Sequence, residues 1–363
     1  MSPWPPEPAE PVRLSGNAYA RGFGQAEMGG ATADAVRAAT VARVEAAEAD
    51  GLLTARAEAW LARQRDFAAA TWPDALDEVA GIADGFGFSG DVVFAHLFLG
   101  MLRDLRQTER ADGDGCSAWA VGDGPDGPLA VKNRDYHGTH LGIQRVFRHD
   151  DPSWPAGPVL SVGSLGAPGA YSSGINAHGL ALVDTQVGTS DHGIGWLRYF
   201  LMTYLLARCR TVGEAVAVIR GATHAGGGTL VMADAGGATA AVELGHGAVG
   251  IETGARVWRT NHFVSPELEP VTLTEPGDRV SQSSHARRAK LEALVAARAW
   301  TTADAARLMG GHDDDPIASL CQHGAADASS TISSSVFACA SRSLYFCEGN
   351  PCRGVWRQYR LLG

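Results

Sequence analysis

The chain reads as an α+β protein, a four-layer αββα sandwich of two antiparallel sheets flanked by helices, preceded by an N-terminal helical segment. Three features predict this. Residues 17–111 are Ala-rich, with apolar side chains at helical spacing. Around 112–116 the character switches to short β-type runs separated by Gly, Pro and Asp turns. Strands, a helix pair, more strands, more helices and closing strands then follow without regular βαβ alternation, the pattern of antiparallel sheets with helices packed outside.

In chain order, helical periodicity covers 17–42 and continues through 63, then covers 72–86 and 89–105. Gly-Phe-Gly-Phe at 85–88 followed by Ser-Gly-Asp is a turn into a capped helix. Strands are predicted at 117–122 and 128–133, joined by the hairpin signal Gly-Asp-Gly-Pro-Asp-Gly. Others lie at 144–149, 158–163, 170–175 and 179–185, the last two separated by a tight turn in which Asn176 suits left-handed backbone. Helices at 195–208 and 211–220 precede strands at 228–233, 238–244, 249–252 and 256–260. Helices at 283–297 and 302–310 and strands at 331–339, 343–348 and 354–360 complete the chain.

At 363 residues with 45% hydrophobic content, the protein can bury one large core or two tightly joined units. The net charge of −10, with Lys and Arg scattered, gives no footprint for nucleic acid or an anionic membrane surface. The N-terminus lacks the form of a signal peptide, so a cytoplasmic protein with reduced cysteines is expected. Homo-oligomerisation stays open. Cys347 and Cys352 could bridge a hairpin or form half a metal site, but no second pair and no suitably spaced histidines accompany them in sequence. Ordinary thiols, no metal and no cofactor are expected.

Chemistry concentrates at Gly113-Asp-Gly-Cys116, where a cysteine follows a flexible stretch and opens a buried strand. Cleavage between Gly115 and Cys116 would give one residue a thiol nucleophile and a free α-amine as its base. Gly115 would let the backbone adopt an approach that a side chain hinders. The plainer reading of Cys116 is a small buried hydrophobe. Lys132-Asn-Arg-Asp-Tyr136 ends the strand returning beside Cys116, so Asp135 is placed to bind the amine or hold the thiol, unless it faces solvent. Lys132 or Arg134 would lower the thiol pKa if they share its face. Gln186 and Asn261, both at strand ends, Asn176 in its turn, and His262, Tyr136 and Lys132 are candidate oxyanion or substrate contacts, with structural roles as the alternative. Cys116, His262 and Asn261 would also suit an uncleaved cysteine hydrolase.

Gly115-Cys116-Ser117, Asn133-x-Asp135-Tyr136, Gly174-Ile-Asn-Ala-His-Gly-Leu180, Thr260-Asn-His-Phe263, Ser283-Ser-x-x-Arg287 and Gly349-Asn-Pro-Cys352 occur in that order. Together they resemble the acyl-coenzyme A:6-aminopenicillanic acid acyltransferase-like family of N-terminal nucleophile cysteine hydrolases, distantly similar to penicillin V acylase, bile salt hydrolase and acid ceramidase. The resemblance spans roughly 15–360 and includes a loose match at Tyr19-x-x-Gly22-x-Gly24. It implies the αββα N-terminal nucleophile fold, self-cleavage before Cys116, a pro-segment at 1–115 and a catalytic β subunit at 116–363. It further implies Cys116 as nucleophile, Asp135 orienting its amine, Asn261 donating to the oxyanion, and Arg287 as a fourth site residue, with Arg288 adjacent. Implied partners are a small-molecule amide or acyl-thioester and the chain's own cleaved N-terminal fragment. Arg134-Asp135-Tyr136 stands where an aromatic pair often surrounds the aspartate, and Asp184-Thr185-Gln186 stands where relatives often carry asparagine or tyrosine. A non-catalytic ligand-binding member of the fold is the remaining alternative.

Overall fold

The computed structural model describes residues 4–106, 115–273, 279–324 and 329–361. The Gly113-Asp114 approach to Cys116, and with it most of the 112–116 boundary, lies outside the described residues.

The N-terminal segment holds one strand, β1 (Val12–Ser15), and six helices: α1 (Ala18–Met28), α2 (Ala33–Ala39), α3 (Val41–Ala49), α4 (Ala55–Thr71), α5 (Asp74–Phe86) and α6 (Gly90–Arg106). The periodicity expected to run through 17–63 is therefore broken. Gly30 and Gly51 take φ of 66° and 69°, which end helical turns, and Thr40 leaves helical geometry between α2 and α3. Polar caps restart the helices: Asn17, Thr32 and Thr54 each accept a hydrogen bond from an amide three residues on.

From Ser117 the elements follow the predicted order closely. The chain forms β2 (Ser117–Val121), β3 (Leu129–His137), β4 (Gln144–Asp150), β5 (Val159–Ser164), β6 (Ser173–Asn176) and β7 (Ala181–Thr185). Next come α7 (Arg198–Arg208), α8 (Val212–Arg220), β8 (Thr229–Ala233), β9 (Thr239–Leu244), β10 (Val249–Gly254) and β11 (Arg256–Arg259). The chain closes with α9 (Arg279–Val295), α10 (Thr302–Met309), β12 (Ser329–Ala338), β13 (Ser343–Glu348) and β14 (Trp356–Arg360). Lys132 to Tyr136 lie inside β3 rather than at its end, because pairing with β12 extends the strand to His137.

One sheet has eight strands in the order β1-β4-β5-β6-β7-β8-β9-β10, the other six in the order β11-β2-β3-β12-β13-β14. Every pairing between these strands is antiparallel except β1 with β4. That strand was not expected: its four residues carry little signal of their own, and its partner lies far along the chain. Ala118, Ala120 and Ala130 of the six-stranded sheet meet Val162, Ile175, Val183 and Val231 of the eight-stranded one, so small residues let the sheets face each other closely. The outer face of the larger sheet packs Leu182, Leu230 and Val242 on α7 and α8. Trp119, Val131 and Val336 cover the other outer face against α9 and α10. These are the four layers of an αββα sandwich, and two-sided burial explains strands with no exposed face.

The N-terminal helices pack against this sandwich through buried polar ties. Arg21 forms an ion pair with Asp151, and Gln25 donates to Ala167 O (3.0 Å) while accepting from Gly166 N (3.0 Å). Gln64 donates to Gly193 O at 2.7 Å. Among the described residues no single helix is long and apolar enough to cross a membrane; α5 and α6 meet that test only as a pair bent by 117°. Within the segment, α1 and α5 touch backbone to backbone at Gly22 and Gly81. A Cβ on Gly81 would lie 2.1 Å from Tyr19 O, and one on Gly22 would lie 2.2 Å from Glu78 O. Gly81→Ala is therefore expected to destabilise the protein by at least about 1–3 kcal/mol, the range for overpacking. Urea unfolding of the variant measures this, and an unchanged midpoint would contradict the close crossing.

Candidate active site

Along β2, Ala118 and Ala120 face the opposite sheet, whereas Trp119 and Val121 face α9 and α10. The strand period places Cys116 on the inter-sheet side and Ser117 on the helix side. On β3, Lys132 and Arg134 continue the inter-sheet face of Ala130, the face that Cys116 shares. Asn133 points the other way, donating to Met309 O and Leu320 O at 2.8 Å each. Cys116 is buried, and its thiol lies 3.9 Å from the carbonyl of Asp135.

Asp135 Oδ1 accepts from Thr331 Oγ1 at 2.5 Å, beside a register shift in β12 between Thr331 and Ser333. Its other oxygen stands against Gly115: a Cβ there would fall 2.9 Å from Oδ2. Gly115 is not among the residues with positive φ, so its absent side chain makes room for the carboxylate instead of relieving backbone strain.

Arg287, fully buried, joins the rest. The stripe Ser284, Arg287, Leu291 and Val295 is the buried face of α9. From it Arg287 Nη1 donates to Cys116 O (2.6 Å) and Ser117 Oγ (2.8 Å), and Nη2 donates to Asn261 Oδ1 (3.0 Å). Burial pushes the Arg287 pKa down, while Asp135 and Cys116 favour its charge. With its oxygen fixed, the Asn261 carboxamide turns its nitrogen to Gln186 O at 2.8 Å, leaving one N–H of the amide for another acceptor. Arg288, by contrast, pairs with Glu292 at 3.1 Å outside the site.

On the inter-sheet side, Lys132 Nζ forms an ion pair with Asp184 and donates to Ser172 Oγ at 2.9 Å. Arg198, in the first turn of α7, donates to Asp184 Oδ2 (2.8 Å) and Gln186 Oε1 (2.7 Å). Burial would raise the Asp184 pKa, but the two cations hold the carboxyl below its ordinary value. A Cys116 thiolate would also favour the charge on Arg198. These groups line a small pocket of about 30 Å³ together with Cys116, Arg134, Asp135, Tyr136, Tyr171 and Tyr199. Tyr136, Tyr171, Gln186, Arg198 and Tyr199 also line a neighbouring pocket of about 80 Å³ whose far wall is built by Arg43, His96, Gly100 and Arg103 of the N-terminal segment. The Tyr136 hydroxyl meets Arg43, so this residue links the pocket to that wall.

The structure thus brings together Gly115, Cys116, Asp135, Asn261, Arg287, Gln186, Lys132 and Tyr136. Two candidates are elsewhere. Asn176 donates to Leu206 O (3.0 Å) and Cys209 O (2.7 Å) and accepts from His178 N and Leu180 N, so its carboxamide is consumed by tying the β6–β7 turn to the end of α7. His262 hydrogen-bonds Ser284 Oγ at 2.7 Å and stacks on His285 at 3.9 Å between ring centroids. No histidine lines the pocket around Cys116 among the described residues. Sequence reasoning missed Arg198, Arg43, Tyr171 and Tyr199, none of which carries a local motif, and Thr331, whose only signal was a serine-rich strand.

Fold and site together define an αββα protein with a buried thiol at the head of a central strand, set among paired carboxylates and cations. The chain belongs to the acyl-coenzyme A:6-aminopenicillanic acid acyl-transferase family, whose model matches residues 122–353 and so includes Asp135, Asn261 and Arg287 but begins beyond Cys116. No curated protein matches the chain. Among solved structures it is similar to a mutant form of conjugated bile acid hydrolase from Clostridium perfringens: 14% identity, 64% of this chain and 89% of that one covered, TM-score 0.40. It is also similar to penicillin V acylase from Agrobacterium tumefaciens, with 15% identity, 64% and 82% covered, and a TM-score of 0.33.

Two outcomes follow from this geometry. Arg287→Met removes the buried donor to Cys116 O, Ser117 Oγ and Asn261 Oδ1, and should lower unfolding free energy by at least about 1–3 kcal/mol in urea titrations. The second concerns pH. Burial drives His96, His149 and His262 down from 6.5 to about 3, so the folded protein keeps them neutral where the unfolded chain binds protons. Their contribution to stability is intact above pH 6.5 and falls as pH drops towards 3, by up to about 1.4 kcal/mol per pH unit for each. A urea midpoint that stays constant from neutrality down to about pH 5 would refute this.

Proposed function

We propose that the protein is a self-processing N-terminal cysteine amidohydrolase or acyltransferase acting on a small-molecule amide or acyl-thioester. The observation that carries the reading is the Gly115–Cys116 peptide lying at the head of β2, with Asp135 against Gly115 and Arg287 on the carbonyl of Cys116. Membership of a family named for acyl transfer agrees with it.

In the intact chain the Cys116 nitrogen is an amide and cannot take a proton. Attack of Cys116 Sγ on the Gly115 carbonyl carbon forms a thioester as the C–N bond breaks and the nitrogen, protonated, becomes an amine. Water then hydrolyses the thioester, releasing the Gly115 carboxylate and regenerating the thiol. Free α-amines and cysteine thiols ordinarily titrate at about 7.7–8.0 and about 8.5, close enough for proton exchange between the two near neutrality. Arg198 and Arg287 favour the thiolate, and Asp135 holds the ammonium. The thiolate attacks the substrate carbonyl, the remaining N–H of Asn261 donates to the developing oxyanion, and the leaving group takes the proton from the amine. Water or an amine then accepts the acyl group from Cys116; the same residues serve both acceptors.

The walls of the two neighbouring pockets carry Arg43, Arg103, Lys132, Arg134 and Arg198 against Asp104, Asp135 and Asp184. This surplus of cations favours a substrate with an acidic group. Since Arg43, His96 and Arg103 precede the scissile bond, the 1–115 fragment stays bound after cleavage as part of the pocket, joined through β1 and the ties of Arg21, Gln25 and Gln64. The uncleaved Cys/His/Asn arrangement finds no support, because His262 is engaged by Ser284 and held neutral.

Intact-mass analysis of purified wild-type protein should give two chains, 1–115 and 116–363, co-eluting on size exclusion, whereas Cys116→Ala should give one. Wild-type protein that hydrolyses amides while remaining a single chain would sink the self-processing mechanism. A Cys116→Ala variant that binds acyl ligands as wild type does, with no acyl adduct ever trapped on wild-type Cys116, would mark a binding protein instead.

A further inference from the structure

Away from the cleft, three loops meet at one end of the six-stranded sheet. His312 lies just after α10, Cys321 and His323 lie ahead of β12, and Cys352 lies in the β13–β14 connection. One ligand atom from each of these four side chains lies within 4.8 Å of all the others. Cys321 Sγ is 3.7 Å and Cys352 Sγ 3.4 Å from His323 Nε2, and the His312 and His323 rings are 5.0 Å apart between centroids. A tetrahedral Zn²⁺ with Zn–S of about 2.3 Å and Zn–N of about 2.0–2.1 Å sets its ligand atoms roughly 3.3–3.8 Å apart. Both sulfur–nitrogen separations fall in that range. The remaining ones need only a small contraction, which the exposed His312 and His323 can supply by turning.

We propose that His312, Cys321, His323 and Cys352 form a closed structural zinc site that fastens these loops to one another and to the strand beside Asp135. Two thiolates and two neutral imidazoles are the donor set that suits Zn²⁺ in a tetrahedral centre, and four protein ligands leave no open position for catalysis. Binding is balanced by proton release: each thiol gives up its proton to solvent as its Zn–S bond forms, and each imidazole donates a nitrogen lone pair without net proton change.

The loops are held near this geometry by hydrogen bonds to backbone carbonyls. Cys321 N donates to Gly311 O at 3.2 Å, and Asn350 Nδ2 donates to Gln322 O (2.9 Å) and Thr331 O (3.1 Å). A Cβ on Gly310 would lie 3.2 Å from the Cys352 backbone, so the end of α10 rests directly on the Cys352 loop. From the cluster, one chain of contacts leads to the candidate active site. Gln322 N donates to Thr331 Oγ1 at 2.8 Å, and that hydroxyl donates to Asp135 Oδ1 at 2.5 Å. The sequence reading expected ordinary thiols at Cys347 and Cys352; in the fold Cys347 turns into the core under α10, and Cys352 instead meets Cys321 and the two histidines.

The test uses the full-length chain, purified without an affinity tag that binds metal and kept in reductant. After equilibration with Zn²⁺ and desalting, elemental analysis should find about one zinc per chain, and the Cys321→Ser/Cys352→Ser double variant should retain none. Cobalt loaded into the wild-type apoprotein should give the intense visible bands of tetrahedral Co²⁺ and a near-ultraviolet thiolate-to-metal band, a readout that needs no variant to fold. Chelation should lower the melting temperature of the zinc-loaded protein. The proposal is overturned if reduced wild type retains no more zinc than the double variant, or if Co²⁺ gives only the weak bands of an octahedral aqua ion. A Cys321–Cys352 disulfide in protein prepared without reductant, with no zinc uptake after its reduction, would overturn it equally.

Discussion

The arrangement around Cys116 depends on one cation with no solvent to share its charge. Arg287 reaches from α9 to the carbonyl of Cys116, the hydroxyl of Ser117 and the carboxamide of Asn261, so one guanidinium sets the relation of β2, the end of β11 and the outer helix layer. A planar fork with several fixed donors can satisfy acceptors on separate elements at once, which a lysine ammonium at the same place would do with less directional control. Because the cation is buried, its hydrogen bonds replace water entirely, and the acceptors are held as firmly as the helix packing holds Arg287 itself.

A second ionic group organises the opposite side of the pocket. Lys132 from β3, Asp184 from β7 and Arg198 from α7 bring the two sheets and a helix to one point, and Arg198 passes the constraint on to Gln186. Burial alone would favour the neutral acid of Asp184, and the two cations beside it hold the carboxylate ionised. The pocket floor is therefore polar and rigid, whereas the more distant walls come from tyrosines and from helices of the N-terminal segment. Such a division suits chemistry at a fixed centre with recognition further out.

The sandwich was legible because strands buried on both faces produce apolar runs bounded by Gly, Pro and Asp, and helices produce a different period. The legible part of the site was Cys116 with Asp135, since a hairpin places a returning strand beside the one before it. What misled were local patterns with more than one tertiary use. Asn176 and Asn261 both sit at strand ends, yet one closes a turn onto α7 and the other is gripped by Arg287. The Ala-rich stretch at 17–63 looked continuous because alanine keeps helical period through short breaks, and Gly30 and Gly51 were the punctuation that marked them.

By itself, the sequence determined the order of strands and helices from Ser117 onward, and that a Gly-Cys step opens a buried strand. These are consequences of side-chain period, turn chemistry and residue size, which act over a few neighbours. Only the tertiary structure decided which face of β3 looks at Cys116, which of Arg287 and Arg288 enters the interior, and that His312, Cys321, His323 and Cys352 converge. Those outcomes depend on strand pairing and helix rotation between segments far apart in the chain, where a shift of one residue turns a side chain to the opposite side.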